Sequence, residues 1–92
     1  MAKKREDQPE EILRDCLVVY YDGYGKEHQG FDPEDRLWMF TEAEAVRLSK
    51  KKIKEGATRA SVWRPEPTPE KLYEFERGRD GHCQQTYPGR QY

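Results

Sequence analysis

Four side chains of metal-binding type, Cys16, His28, His82 and Cys83, are the first candidates for chemistry in this chain. Structural zinc sites take their ligands as spaced pairs, so that each pair closes on the ion from one short turn. These four lack that spacing. Cys16 sits in an apolar run, and His82 and Cys83 are adjacent. No metal and no cofactor is expected. Cys83, His82 and Asp80 hold the residue types of an activated thiol. Such a thiol also needs a rigid scaffold and preorganised oxyanion donors, which a glycine-flanked tail does not offer. Asp22-Gly23-Tyr24-Gly25 lacks the lysine and the helix start of a phosphate-binding loop. No catalytic residue is assigned, and the reading is of a protein that binds, not an enzyme.

Three surface features carry that reading. Arg47, Lys50, Lys51 and Lys54 fall at helical spacing on a solvent-facing side, and Arg59 and Arg64 extend the basic patch. Such a row can grip a phosphate backbone or a protein partner. Asp32, Glu34 and Asp35 cluster around Pro33 with no structural role visible in the sequence, so they are expected to meet Lys or Arg on a partner. Tyr20, Tyr21, Tyr24, His28 and Phe31 surround glycines in a segment resembling a binding loop, where tyrosine gives contact area at low entropic cost. Tyr24 and His28 are the candidates for direct contact.

The elements that position these groups follow from the pattern. The 92 residues fit one domain. With 34% apolar and 38% charged residues, against about 25% charged in a typical domain, there is material for a core of roughly 60 residues and little more. The net charge is −1, so electrostatics must be argued patch by patch. Residues 1–7 read as a flexible N-terminus, 8–77 as a single domain and 78–92 as a polar tail. Pro9-Glu10-Glu11 opens a short helix running to about Arg14. Cys16–Tyr21 is a continuous apolar run and the central strand. Arg36–Phe40 reads as a second strand paired with it. Thr41-Glu42-Ala43-Glu44 is a capping box, and the helix over about 42–55 buries Ala45, Val46, Leu48, Ser49 and Ile53 on one stripe before Gly56 stops it. Thr58–Arg64 alternates as a third strand. Residues 70–77 fit a short helix or a strand. The expected fold is α+β, β-β-α-β, with the main helix on one face of a small, mainly antiparallel three-stranded sheet and the other face partly bare. The start of the chain has no apolar leader and no run is long enough to span a membrane, so a cytoplasmic protein with reduced thiols is expected.

In overall character the chain resembles the small phage-encoded anti-CRISPR proteins, in particular those that dock on type I surveillance complexes. The residues behind the resemblance are Asp32-Pro33-Glu34-Asp35, the aromatic loop around Tyr24 and the short capped helix from Thr41. The resemblance implies a stoichiometric inhibitor in the host cytoplasm. It would bind the basic Cas subunits that load target DNA, with the acidic residues facing Lys and Arg and the basic helix face lying against guide RNA. The alternative is a small nucleic-acid-binding accessory protein, with the helix cations on phosphates and Trp63 stacked on bases. No small-molecule substrate and no membrane partner is expected.

Overall fold

The computed structural model describes residues 13–88. Among them run β1 (Leu17–Tyr21), β2 (Glu27–Gln29), α1 (Glu42–Lys54), β3 (Arg59–Arg64), β4 (Glu70–Arg77) and β5 (Cys83–Tyr87). The five strands form one antiparallel sheet in the order β2-β1-β3-β4-β5. The fold is thus a small α+β unit, with two more strands than the sequence pattern suggests.

Register fixes which residues share a face. Val18 pairs with Val62 and Ala60 with Phe75, and these four lie on the side that shares its buried clusters with α1. One cluster gathers Cys16, Val18, Phe40, Ala45 and Val62; the other gathers Ile53, Ala57, Ala60 and Phe75. Alternation along the strands puts Leu17, Val19, Tyr21, Ser61 and Trp63 on the opposite side. The helix supplies Ala45, Ser49 and Ile53 as its buried stripe, with Val46 and Leu48 half-buried beside it. Its capping box is formed: the Glu44 N–H donates to Thr41 Oγ1 at 3.1 Å, and the Thr41 N–H donates to Glu44 Oε1 at 2.8 Å. Arg14 reaches the same carboxylate at 3.1 Å, and with the Thr41 N–H it holds Glu44 below the usual carboxylate range.

Three parts of the sequence reading change. Arg36–Phe40 is not a strand. It belongs to a tight loop in which only Leu37 and Phe40 make isolated bridges, and the second strand is Glu27–Gln29. Phe40 is buried and crosses to Cys16, so the apolar run fills the core as an anchor instead of pairing along its length. Residues 70–77 resolve as a strand, β4, because Tyr73 and Phe75 pair beside Val62 and Ala60. Cys83–Tyr87, placed in a polar tail, forms the edge strand β5. All five of its residues are exposed, so no hydrophobic alternation marks it. The expected N-terminal helix falls mostly outside the described residues; Leu13 and Arg14, which are described, are not helical.

Candidate binding surfaces

The β1–β2 hairpin is built around Asp22. Its Oδ1 accepts the N–H of Tyr24 at 2.8 Å and of Lys26 at 2.9 Å, and Gly25 takes the left-handed φ of 84° that closes the turn. Its Oδ2 lies 2.9 Å from His28 Nε2. That contact, with the two backbone donors, lowers the Asp22 carboxyl to about 2. His28 also stacks on Tyr20, with ring centroids 5.1 Å apart. His28 is therefore a brace of the hairpin. Tyr24 projects from its tip and is 97% exposed.

The loop from Phe31 to Phe40 is the second surface. Asp32 and Leu37 exchange both backbone hydrogen bonds, at 2.9 and 3.1 Å. Asp32 Oδ1 accepts from the N–H of Glu34 at 2.9 Å and of Asp35 at 3.4 Å. This corrects the reading of Asp32 as a residue without a structural role: its carboxylate builds the turn. Arg36 closes it with φ of 56°. Glu34 and Asp35 are exposed, and among the described residues neither side chain forms an ion pair within contact distance. Trp38 is 51% exposed and packs on Phe31 at 4.5 Å between ring centroids. The sequence reading assigned Trp38 to a strand and did not name it among the exposed aromatics. The signal was Asp32-Pro33, which begins a turn and leaves too few residues for a paired strand before the helix cap.

The two surfaces lie apart. Gly30 N–H donates to the Val18 carbonyl at 2.7 Å, and Cys16 and Phe40 exchange both backbone bonds at 2.9 and 2.7 Å. Residues 30–40 thus return beside the start of β1, whereas Tyr24 lies beyond its end. A five-residue strand spans about 17 Å, so the acidic residues and Tyr24 do not form one patch. The end of α1 joins the Tyr24 side, where the Thr58 N–H donates to the Tyr21 carbonyl at 2.8 Å.

Arg47, Lys50, Lys51 and Lys54 are all exposed on α1, as the helical spacing predicts. Lys50 Nζ lies 5.7 Å from the centre of the Phe75 ring. Beside Arg47 and Lys50, between α1 and β4, is an open depression of about 540 Å³ whose floor includes Ala43, Val46 and Tyr73.

The sheet side opposite the buried clusters carries a lattice of charged and aromatic side chains. Glu74 draws Lys71 to 3.2 Å and Arg59 to 3.5 Å. Arg59 lies over Tyr21 at 4.8 Å, and Lys71 over Tyr87 at 5.2 Å and Trp63 at 5.8 Å. The indole N–H of Trp63 donates to Ser61 Oγ at 3.1 Å. This lattice partly roofs a depression of about 470 Å³ and leaves Trp63 half-buried under a cation.

Cys16 is buried, and desolvation, with a smaller contribution from Asp15, pushes its thiol up to about 11. Cys83 stands on β5 with its thiol raised by desolvation, against a smaller opposing pull from Lys50. An activated thiol needs the reverse shift. Both cysteines are free thiols. Among the described residues no group of three or more His, Cys, Asp or Glu side chains is placed to hold a metal ion, and no helix is long and apolar enough to cross a membrane. Comparison with protein-family models, with curated proteins and with solved structures returns no match.

Proposed function

We propose that the chain is a binding protein that transforms no substrate: a stoichiometric inhibitor that docks on a CRISPR surveillance ribonucleoprotein and blocks its loading of target DNA. The target comes from the resemblance to anti-CRISPR proteins. The docking surface comes from the loop between β2 and α1. The observation that carries the reading is that Trp38, half exposed, shares a backbone-locked loop with Glu34 and Asp35, whose side chains pair with no cation among the described residues.

Tryptophan is enriched among the residues that dominate binding energy, because it buries a large area with few rotors to freeze. Acids around such an anchor steer it to basic surfaces and reject acidic ones. Channels that load DNA are basic, because they must neutralise phosphates. The loop is locked by the Asp32–Leu37 pair before any partner arrives, so little ordering entropy is lost on docking. Tyr24, at the other end of β1, offers a second point of contact.

The experiment is capture of a purified type I surveillance complex by the immobilised chain and by a Glu34→Lys, Asp35→Lys, Trp38→Ala variant. Glu34 and Asp35 are exposed and Trp38 packs only on Phe31 of the same loop, so the variant should still unfold cooperatively, with a thermal midpoint lowered by no more than the loss of that ring contact. Capture should fall at least 100-fold. Equal capture by parent and variant removes the loop from the reading, and no capture by the parent removes the target.

A further inference from the structure

We infer that the depression between α1 and β4 is a docking site for an acidic segment of a partner protein, one that inserts an apolar side chain between Arg47 and Lys50 on one side and Tyr73 on the other. None of the residues from Phe31 to Phe40 lines it, and it does not depend on the function proposed for that loop.

Charge distribution is the first argument. Arg14, Lys52, Arg59, Arg64 and Lys71 each pair with a carboxylate of this chain at between 2.9 and 3.6 Å. Arg47 and Lys50 are exposed and pair with no carboxylate among the described residues. Of the Lys and Arg side chains that form no ion pair among the described residues, Arg47 and Lys50 are the two that line this depression. Glu42, the acid at its other end, is already engaged: the Tyr73 hydroxyl donates to it, and Arg64 Nη2 lies 3.8 Å away. The hydrogen bond to Glu42 raises the Tyr73 hydroxyl above its ordinary value, which keeps it a donor and leaves its ring as an apolar wall.

The floor is the second argument. Ala43 offers only a methyl group to fill the space, and Val46 and Tyr73 are only half-buried. At about 540 Å³ the site falls in the size range of small ligand pockets, about 300–1,000 Å³. A phosphate backbone would use the cations but leave this apolar floor wet. An apolar anchor flanked by Asp or Glu satisfies both, as amphipathic segments do in grooves of this kind.

The test is selection from a phage-displayed library of random twelve-residue peptides against the full chain. The strongest binder is then synthesised and measured by fluorescence anisotropy, with dT12 as the nucleic-acid probe. Enriched peptides are expected to carry at least two acids around a large apolar residue and to shift the amide signals of Ala43, Val46 and Tyr73. Affinity should fall at least 10-fold on Arg47→Glu with Lys50→Glu. It should also fall at least 10-fold on Ala43→Lys, which fills the floor while adding a positive charge; attraction by charge alone would instead strengthen. Circular dichroism of both variants reports whether the helix is retained. The inference is overturned by peptides without acids, by binding that Ala43→Lys leaves intact, by no enrichment at all, by dT12 binding more tightly than the peptide, or by self-association that the same substitutions abolish.

Discussion

Asp22 and His28 close the β1–β2 hairpin from within: Oδ2 of Asp22 stands 2.9 Å from Nε2 of His28, while its Oδ1 holds the backbone of Tyr24 and Lys26. One carboxylate therefore orients both the tip that presents Tyr24 and the ring that stacks on Tyr20. Its folded value of about 2 lies below the ordinary 3.8. A lowered carboxyl contributes stability at pH above its unfolded value and loses it as pH falls through its folded value. Asp22→Asn imitates the neutral form. The parent should melt higher than this variant at pH 7, and the gap should close between about pH 4 and pH 2. Paired thermal melts across that range are the check. A gap that persists unchanged at pH 2 would mean that the charge of Asp22 does not support the hairpin.

Gly30 is required for space. A Cβ there would stand 2.9 Å from Val18 Cβ and 3.0 Å from Leu48 Cδ2, just after β2, where the chain still pairs with β1. Gly30→Ala should cost about 1–3 kcal/mol, the usual range for overpacking, and urea denaturation would measure it. Combined with Leu48→Ala, the penalty should be less than the sum of the two single changes, since the second removes one of the two clashing side chains.

Ser49 presents the opposite case. It is fully buried on the core stripe of α1, and its hydroxyl has no hydrogen-bond partner among the described residues. An unpaired buried hydroxyl costs about 1–3 kcal/mol, and alanine is also the better helix former. Ser49→Ala should therefore raise stability by about 1 kcal/mol. A rise in the urea midpoint is the expected result. A fall would show that the hydroxyl is paired in solution.

How much could be read beforehand depended on which interactions were local. The α1 helix was legible from Thr41 to Gly56 because its cap, its apolar stripe and its stop lie within sixteen consecutive positions. β1 was legible as a continuous apolar run from Cys16 to Tyr21, and β3 because its residues alternate at strand spacing. β5 was not: Cys83-Gln84-Gln85-Thr86-Tyr87 is held by backbone pairing to β4, and its side chains bury nothing that would mark it. β2 was hidden for the same reason, being three polar residues held by a hairpin. Arg36–Phe40 misled in the other direction. Its apolar residues serve as single anchors, with Phe40 in the core and Trp38 against Phe31, not as one face of a strand. Of the candidate site, the exposure of Arg47, Lys50, Lys51, Lys54 and Tyr24 followed from local pattern. The internal roles of His28 and Asp32 did not, because each depends on a partner fixed only by the turn it helps to form.

The proposed inhibitor acts by occupying a surface, one molecule for each target. The most direct measurement is a titration of purified type I surveillance complex with the chain before target DNA is added, reading the fraction of complex that loads DNA after short and long preincubation. Loading should fall linearly and end at a fixed ratio of chain to complex that preincubation time does not change. Loss of loading that continues with time at a small fraction of that ratio would mean turnover and contradict the account, as would full loading in the presence of excess chain.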